Sequence, residues 1–211
     1  MATETFLRLP EEKRGRFVTA AWEEFLRVPF EEVSINKIVL KARIPRGSFY
    51  QYFTDKRELF YDLLGEMLAH LLGEYGKILS QHGGDMFRTQ ISCFDMVVSG
   101  GRSDAHFARG IALMRLNPVF LVQQIVENRV AYHIWDTVKG HVDITMFRNE
   151  DEELARQTLV MSLVTLVMTM TDAVARPDEA EACRRVLLTR MDILKHGSLK
   201  EDCREGVKHD E

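Results

Sequence analysis

Four aromatic side chains fall within five consecutive positions, Phe49, Tyr50, Tyr52 and Phe53. Basic residues stand on either side at Arg43, Arg46, Lys56 and Arg57. Rings alone would describe a packing surface. Phenols and guanidinium groups set among them describe binding to a polyanion: rings lie against sugars, while hydroxyls and cations reach phosphate oxygens. The charge distribution points the same way. Residues 1–60 hold 11 Lys/Arg against 9 Asp/Glu, the remaining residues 17 against 23, and the whole chain of 211 residues carries a net charge of -4. A basic head on an acidic body suits a polyanionic partner, although so small an imbalance rests on the motif for its meaning.

Other chemistries find little in the sequence. Cys93, Cys183 and Cys203 are odd in number and far apart, which suits neither a disulfide framework nor a zinc site and fits a reducing cytoplasm. The seven histidines lack metal-ligand spacing, so no metal and no cofactor is expected. Asp151, Glu152 and Glu153 are explained by the favourable electrostatics of a helix start, and no catalytic motif is present, so the chain is not expected to be an enzyme. The N-terminal MATETFLRLPEEKRGR lacks the order of a secretory signal, and no apolar run reaches the ~18 residues of a membrane helix.

The elements that must position the rings are helices; strand signals are weak throughout. A first helix begins at Pro10, with Phe17, Ala21 and Phe25 on one buried stripe, and VPF at 28–30 ends it. Ser34 is the predicted N-cap of a short helix whose Ile35, Ile38 and Val39 face inward. KARIP forms a turn, and Pro45 opens a helix to about Phe53. Asp55 caps the next, which carries an apolar stripe from Leu59 to Leu72. HGG at 82–84 is a break. Further helices are predicted over about 85–99, 105–116, Asn117 to about Gly140, 150–175 and 178–196; the segment from Ser198 is polar and expected to be disordered.

Two short helices joined by a tight turn after a supporting helix describe a helix-turn-helix, whose second member enters the DNA major groove by its N-terminal end. Phe49 and Phe53, four apart, share a face and plug the small core. Tyr50 and Tyr52 are read as projecting toward sugar and phosphate. Arg46 and Ser48 lie nearest base edges, Gly47 leaves room for close approach, and Lys56 is placed for phosphate.

The stretch FVTAAWEEFLRVPFEEVSINKIVLKARIPRGSFYQYFTDKRELF resembles the tetracycline-repressor (TetR) family of bacterial transcriptional regulators, which shows an A-G-V-S-K-G-T-L-Y-x-Y-F-x-S-K-E-x-L pattern here. Ala42, Ile44, Arg46, Gly47, Ser48, Phe49, Tyr50, Tyr52, Phe53, Lys56 and Leu59 match in identity or type. Arg43 departs from the family's turn glycine, Pro45 from a common serine, and Leu40 from a polar residue. A non-glycine in place of that turn glycine is expected to carry a positive φ at some cost.

The resemblance implies an all-α chain. Residues 1–55 form a three-helix helix-turn-helix DNA-binding domain, 56–197 a helical ligand-binding and dimerisation domain, and 198–211 a tail. The DNA-contacting set carried onto this chain is Ser34, Lys37, Arg46, Gly47, Ser48, Tyr50, Gln51, Tyr52 and Lys56. The implied partners are a double-stranded DNA operator of near-palindromic sequence, a second copy of the chain, and an unidentified small hydrophobic or amphipathic effector, with no membrane. In the family the last two helices pair with their mates. Thr158, Ser162, Thr165, Thr169 and Asp172 form a small polar seam that suits either that pairing or packing within the subunit. Phe94, Phe107, Met114, Tyr132, Trp135 and Met168 are candidates to line the effector pocket, and the same residues suit plain core. A protein-binding module with a degenerate head is the remaining alternative, and the intact basic and phenolic set argues against it.

Overall fold

The structure, a computed structural model, describes residues 3–99, 105–117 and 130–203. These are helical, with no strand among the described residues, and the chain divides into two compact units, Met1–His70 and Leu71–Glu211.

In the first unit, α1 (Glu4–Leu7) precedes α2 (Glu11–Phe25), α3 (Ile35–Ala42), α4 (Arg46–Tyr52) and the start of α5 (Lys56–Gln81). The stripe of α2 is buried as its spacing predicts, with Phe17, Ala21 and Phe25 at 0–1% exposure. Phe49 and Phe53 enter the same core, each worth roughly 1.5–3 kcal/mol of burial. Pro10 and Pro45 sit one residue before the first helical turn, where the missing N–H costs nothing. Asp55 caps α5 through 2.8 Å bonds from the N–H groups of Arg57 and Glu58.

Two local expectations change. Ser34 stands at the N-cap of α3, but its hydroxyl makes no capping bond. Instead the buried Glu24 carboxylate accepts the Ser34 N–H at 3.2 Å while Arg27 grips it at 2.8 and 2.9 Å. A carboxylate held by a guanidinium thus satisfies the N–H of the N-cap residue itself, the bond that the glutamate of a capping box would make. The second change is α1, which sequence periodicity does not reveal because it is four residues long; its Phe6 is 4% exposed. At the other end of α3, Arg43 takes the predicted left-handed conformation (φ 54°). The Ile44 N–H returns to Val39 O at 3.0 Å and Arg43 N–H to Leu40 O at 3.2 Å, a Schellman closure.

The second unit contains α6 (Met86–Val98), α7 (Ala105–Leu116), α8 (Val130–Val138), α9 (Glu152–Ala175) and α10 (Ala180–Ser198). The helix predicted from Asn117 is described from Val130 onward; the rest of it and GGRSD at 100–104 lie outside the described residues. Helix α9 packs against α10, α6, α7 and α8. Gly84 (φ 84°) must be glycine, since a Cβ there would lie 2.5 Å from Asp143 N.

Helix α9 corrects the reading that no run is long and apolar enough to span a membrane: its 24 residues meet that measure, with a mean hydropathy of 1.7 over the most apolar window. Thr158, Ser162 and Thr169 are at most 4% exposed, and α9 is the central core helix of this unit. The polar seam thus resolves toward packing within the subunit at these three residues, while Asp172 is exposed. The start of the C-terminal segment, Ser198 and Leu199, is also packed. Leu199 is fully buried and bridges Phe147, and Lys200 N–H donates to Met146 O at 3.0 Å. One leucine anchors an otherwise polar segment; residues 204–211 lie outside those described.

Candidate nucleic-acid interface

Helix α4 has two sides because its sequence has two. Phe49, Tyr52 and Phe53 point into the head, and Arg46, Gly47, Tyr50 and Gln51 point away from it; Tyr50 is 50% exposed. Ser48 is half-buried. On α3, Lys37 is exposed, and Ser34 is half-buried just before it. Among the described residues Arg46 makes no ion pair, so its guanidinium is available to an external anion or base edge. By contrast, Lys41 is held by Glu23 at 2.5 Å.

Gly47 is not in the left-handed region, and a Cβ built on it meets nothing within 4 Å. Nothing inside the protein requires a glycine there. The space in front of it on the outer surface is open.

Two sequence-predicted contacts are placed differently. Tyr52 is 3% exposed, its ring 5.6 Å from Phe6 and 6.1 Å from Phe17, so it is a core residue. Lys56 spends its ammonium inside the head. It donates to the carbonyls of Phe30 (3.0 Å), Glu31 (2.7 Å) and Val33 (3.4 Å) and lies 5.1 Å from the centre of the Phe30 ring. An ammonium has three donors, and all three are engaged. Lys56 ties the start of α5 to the turn that leads into α3. Arg57, beside it, is exposed and 5.8 Å from the same ring, a basic residue absent from the predicted contacting set.

Of the predicted effector-pocket residues, Phe94, Met114 and Trp135 are buried in one cluster, and Phe107 packs against it half-buried. Trp135 Nε1 donates to Glu152 Oε1 at 3.2 Å. Met168 is 47% exposed and faces outward, because its position on α9 is opposite the buried Ser162–Thr169 face. Tyr132 lies in α8, and its side chain is outside the described residues.

The sequence reading missed Gln90. It is fully buried and donates through Nε2 to Ser162 Oγ (2.9 Å) and Tyr75 OH (3.3 Å). Its Oε1 is the one buried side-chain polar atom without a partner among the described residues. Burial pushes the Tyr75 phenol well above its ordinary pKa, so it stays neutral. A polar residue in register with Phe87 and Phe94 on a buried face was the available signal.

The acidic run at 151–153 is occupied structurally. Asp151 caps α9 through Leu154 N–H at 3.1 Å, Glu152 accepts Trp135, and Glu153 binds Arg156 and Gln157. The bond from Arg156, and then that from Gln157, lowers the Glu153 pKa. No group of three metal-ligating side chains occurs among the described residues.

Comparison with known proteins places this head. Residues 17–63 match the family model described as bacterial regulatory proteins, tetR family. No curated protein sequence matches the chain. Among solved structures, the chain is similar to a putative tetR family transcription regulator from Shewanella sp. PV-4, at 14% identity and a TM-score of 0.51, over 91% of this chain and 100% of that one. It is also similar to a TetR family transcriptional regulator from Chloroflexus aurantiacus J-10-FL, at 24% identity and TM-score 0.44, over 95% and 100%. A third likeness is to NalD of Pseudomonas aeruginosa, the secondary repressor of the MexAB-OprM multidrug efflux pump, at 18% identity and TM-score 0.48, over 90% and 98%.

Proposed function

We propose that this chain, a DNA-binding transcriptional regulator of the TetR family by its residues 17–63, is a cytoplasmic repressor. In this reading it binds a near-palindromic operator as a homodimer and responds to a small hydrophobic or amphipathic effector in its C-terminal unit. The observation that carries the DNA reading is the outward face of α4: Arg46, without an ion pair among the described residues, Gly47 with open space around it, and exposed Tyr50 and Gln51, backed by the buried Phe49 and Phe53. Arg46 at the N-terminal end is suited to a bidentate grip on guanine, Tyr50 and Lys37 to sugar and phosphate. Arg46→Ala is expected to relax base preference at one operator position, with a loss of roughly 1–3 kcal/mol there. An equal loss on every sequence would make Arg46 a phosphate contact.

Dimerisation is supported by the apolar residues that the last two helices leave outside: Met161 (56% exposed) and Met168 on α9, Val186 (44%) and Ile193 (65%) on α10. On each helix the pair is seven residues apart and shares one face. The effector reading is supported by Gln90, whose carbonyl has no partner among the described residues and suits a donor group on a mostly apolar ligand. Ligand binding would act only through unequal affinity for the DNA-bound and free states. The experiment that tests the function is selection of duplexes from a random library by the purified protein, followed by a screen for compounds that alter binding to the selected sequence.

A further inference from the structure

A helix ends with four carbonyls that have no partner within it. In α4, two of these are taken by a residue from far back in the chain. Thr3 Oγ1 donates to Gln51 O at 2.8 Å, and Thr3 N–H donates to Tyr52 O at 3.3 Å. The same hydroxyl accepts the Phe6 N–H at 3.4 Å, so it caps the start of α1 as well as the end of α4. Phe6 then inserts beside the same end of α4, its ring 5.6 Å from Tyr52, 4.9 Å from Phe53 and 5.5 Å from Phe17. A four-residue helix does not persist alone in water, so α1 exists by virtue of this docking. The clamp holds α4 at its C-terminal end and leaves Arg46 and Gly47, at the other end, uncovered.

We propose that Thr3 and Phe6 are positioning residues for sequence reading: they fix the orientation in which α4 presents Arg46 and Gln51 to base edges. This rests on the operator reading above. Specific contacts require one orientation of the helix, whereas attraction to phosphates depends on charge and tolerates a helix that rocks. Loss of the clamp therefore lowers affinity for the operator and spares affinity for unrelated DNA.

The test uses full-length protein with Thr3→Val, Thr3→Ser or Phe6→Ala. Each variant is titrated with the duplex selected by the wild type and with a scrambled duplex, at two salt concentrations and well below its melting temperature. Thr3→Val is expected to lose about five- to tenfold in the ratio of specific to scrambled affinity, the scale of one hydrogen bond. Thr3→Ser should restore the ratio, Phe6→Ala should lower it further, and the salt slope should not change. Thr3→Val keeps the side-chain volume and decides the matter even where Phe6→Ala unfolds the head. A wild-type ratio in Thr3→Val, or an equal loss on both duplexes, overturns the inference. A salt slope flattened by about one also overturns it, since that would place the segment on phosphate. A wild type that selects no sequence overturns the operator reading and this inference together, whereas the other outcomes leave that reading standing.

Discussion

Gly47 and Lys56 illustrate how single residues divide between holding the head and meeting a partner. Glycine within a helix is less stable than alanine by roughly 0.5–1 kcal/mol, and the space around Gly47 is open. Gly47→Ala is expected to raise the melting temperature and weaken DNA binding; a variant with unchanged DNA affinity would show that nothing approaches there. Lys56 works in the opposite sense. Lys56→Ala removes three hydrogen bonds and should destabilise the head by roughly 1–3 kcal/mol in urea unfolding. The salt dependence of DNA binding should keep its slope; a slope lower by about 0.9 would restore Lys56 to the phosphate contacts. The sequence showed the inward pair Phe49 and Phe53 through their spacing of four. The reading that sets both Tyr50 and Tyr52 outside fails because residues two apart on a helix lie about 200° apart, and Tyr52 is the one that turns inward. Lys56 was legible as a cation but not as a clamp, since its carbonyl partners lie 23–26 residues earlier.

At the scale of elements, the start of α3 depends on a carboxylate borrowed from α2. The bond from Arg27, followed by that from the Ser34 N–H, holds the Glu24 pKa below its ordinary value of 4.5, against the opposing effect of burial. A depressed folded pKa stabilises the head above the unfolded pKa, and that stability is lost as pH falls through the folded one. Urea unfolding of the wild type and Glu24→Gln should differ most near neutral pH. The difference should shrink as pH drops below about 4.5; a pH-independent difference would contradict the assigned charge. Periodicity located α9 and its polar face but not what covers that face. Thr158, Ser162 and Thr169 donate to carbonyls of their own helix at 2.7, 2.9 and 2.8 Å, which lets hydroxyls enter a core as readily as an interface. Helix α1 escaped detection because one turn carries no period, and the packed end at Leu199 escaped because a single leucine does not alter the composition of a polar segment.

For the whole molecule, the proposal requires two heads presented by one dimer. The apolar residues Met161, Met168, Val186 and Ile193 are the outward positions that pairing would cover. Met168→Glu is expected to yield a folded monomer by sedimentation that no longer binds a palindromic duplex; a dimer that persists would move the interface elsewhere. The chain's overall charge of -4 makes non-specific attraction to DNA a poor account of its binding, and places the burden on the exposed face of α4. The most direct measurement is therefore the selection of duplexes from a random library at two salt concentrations. A near-palindromic sequence recovered at both salts is the result this account predicts. Recovery of no sequence, with binding that vanishes as salt rises, would contradict it.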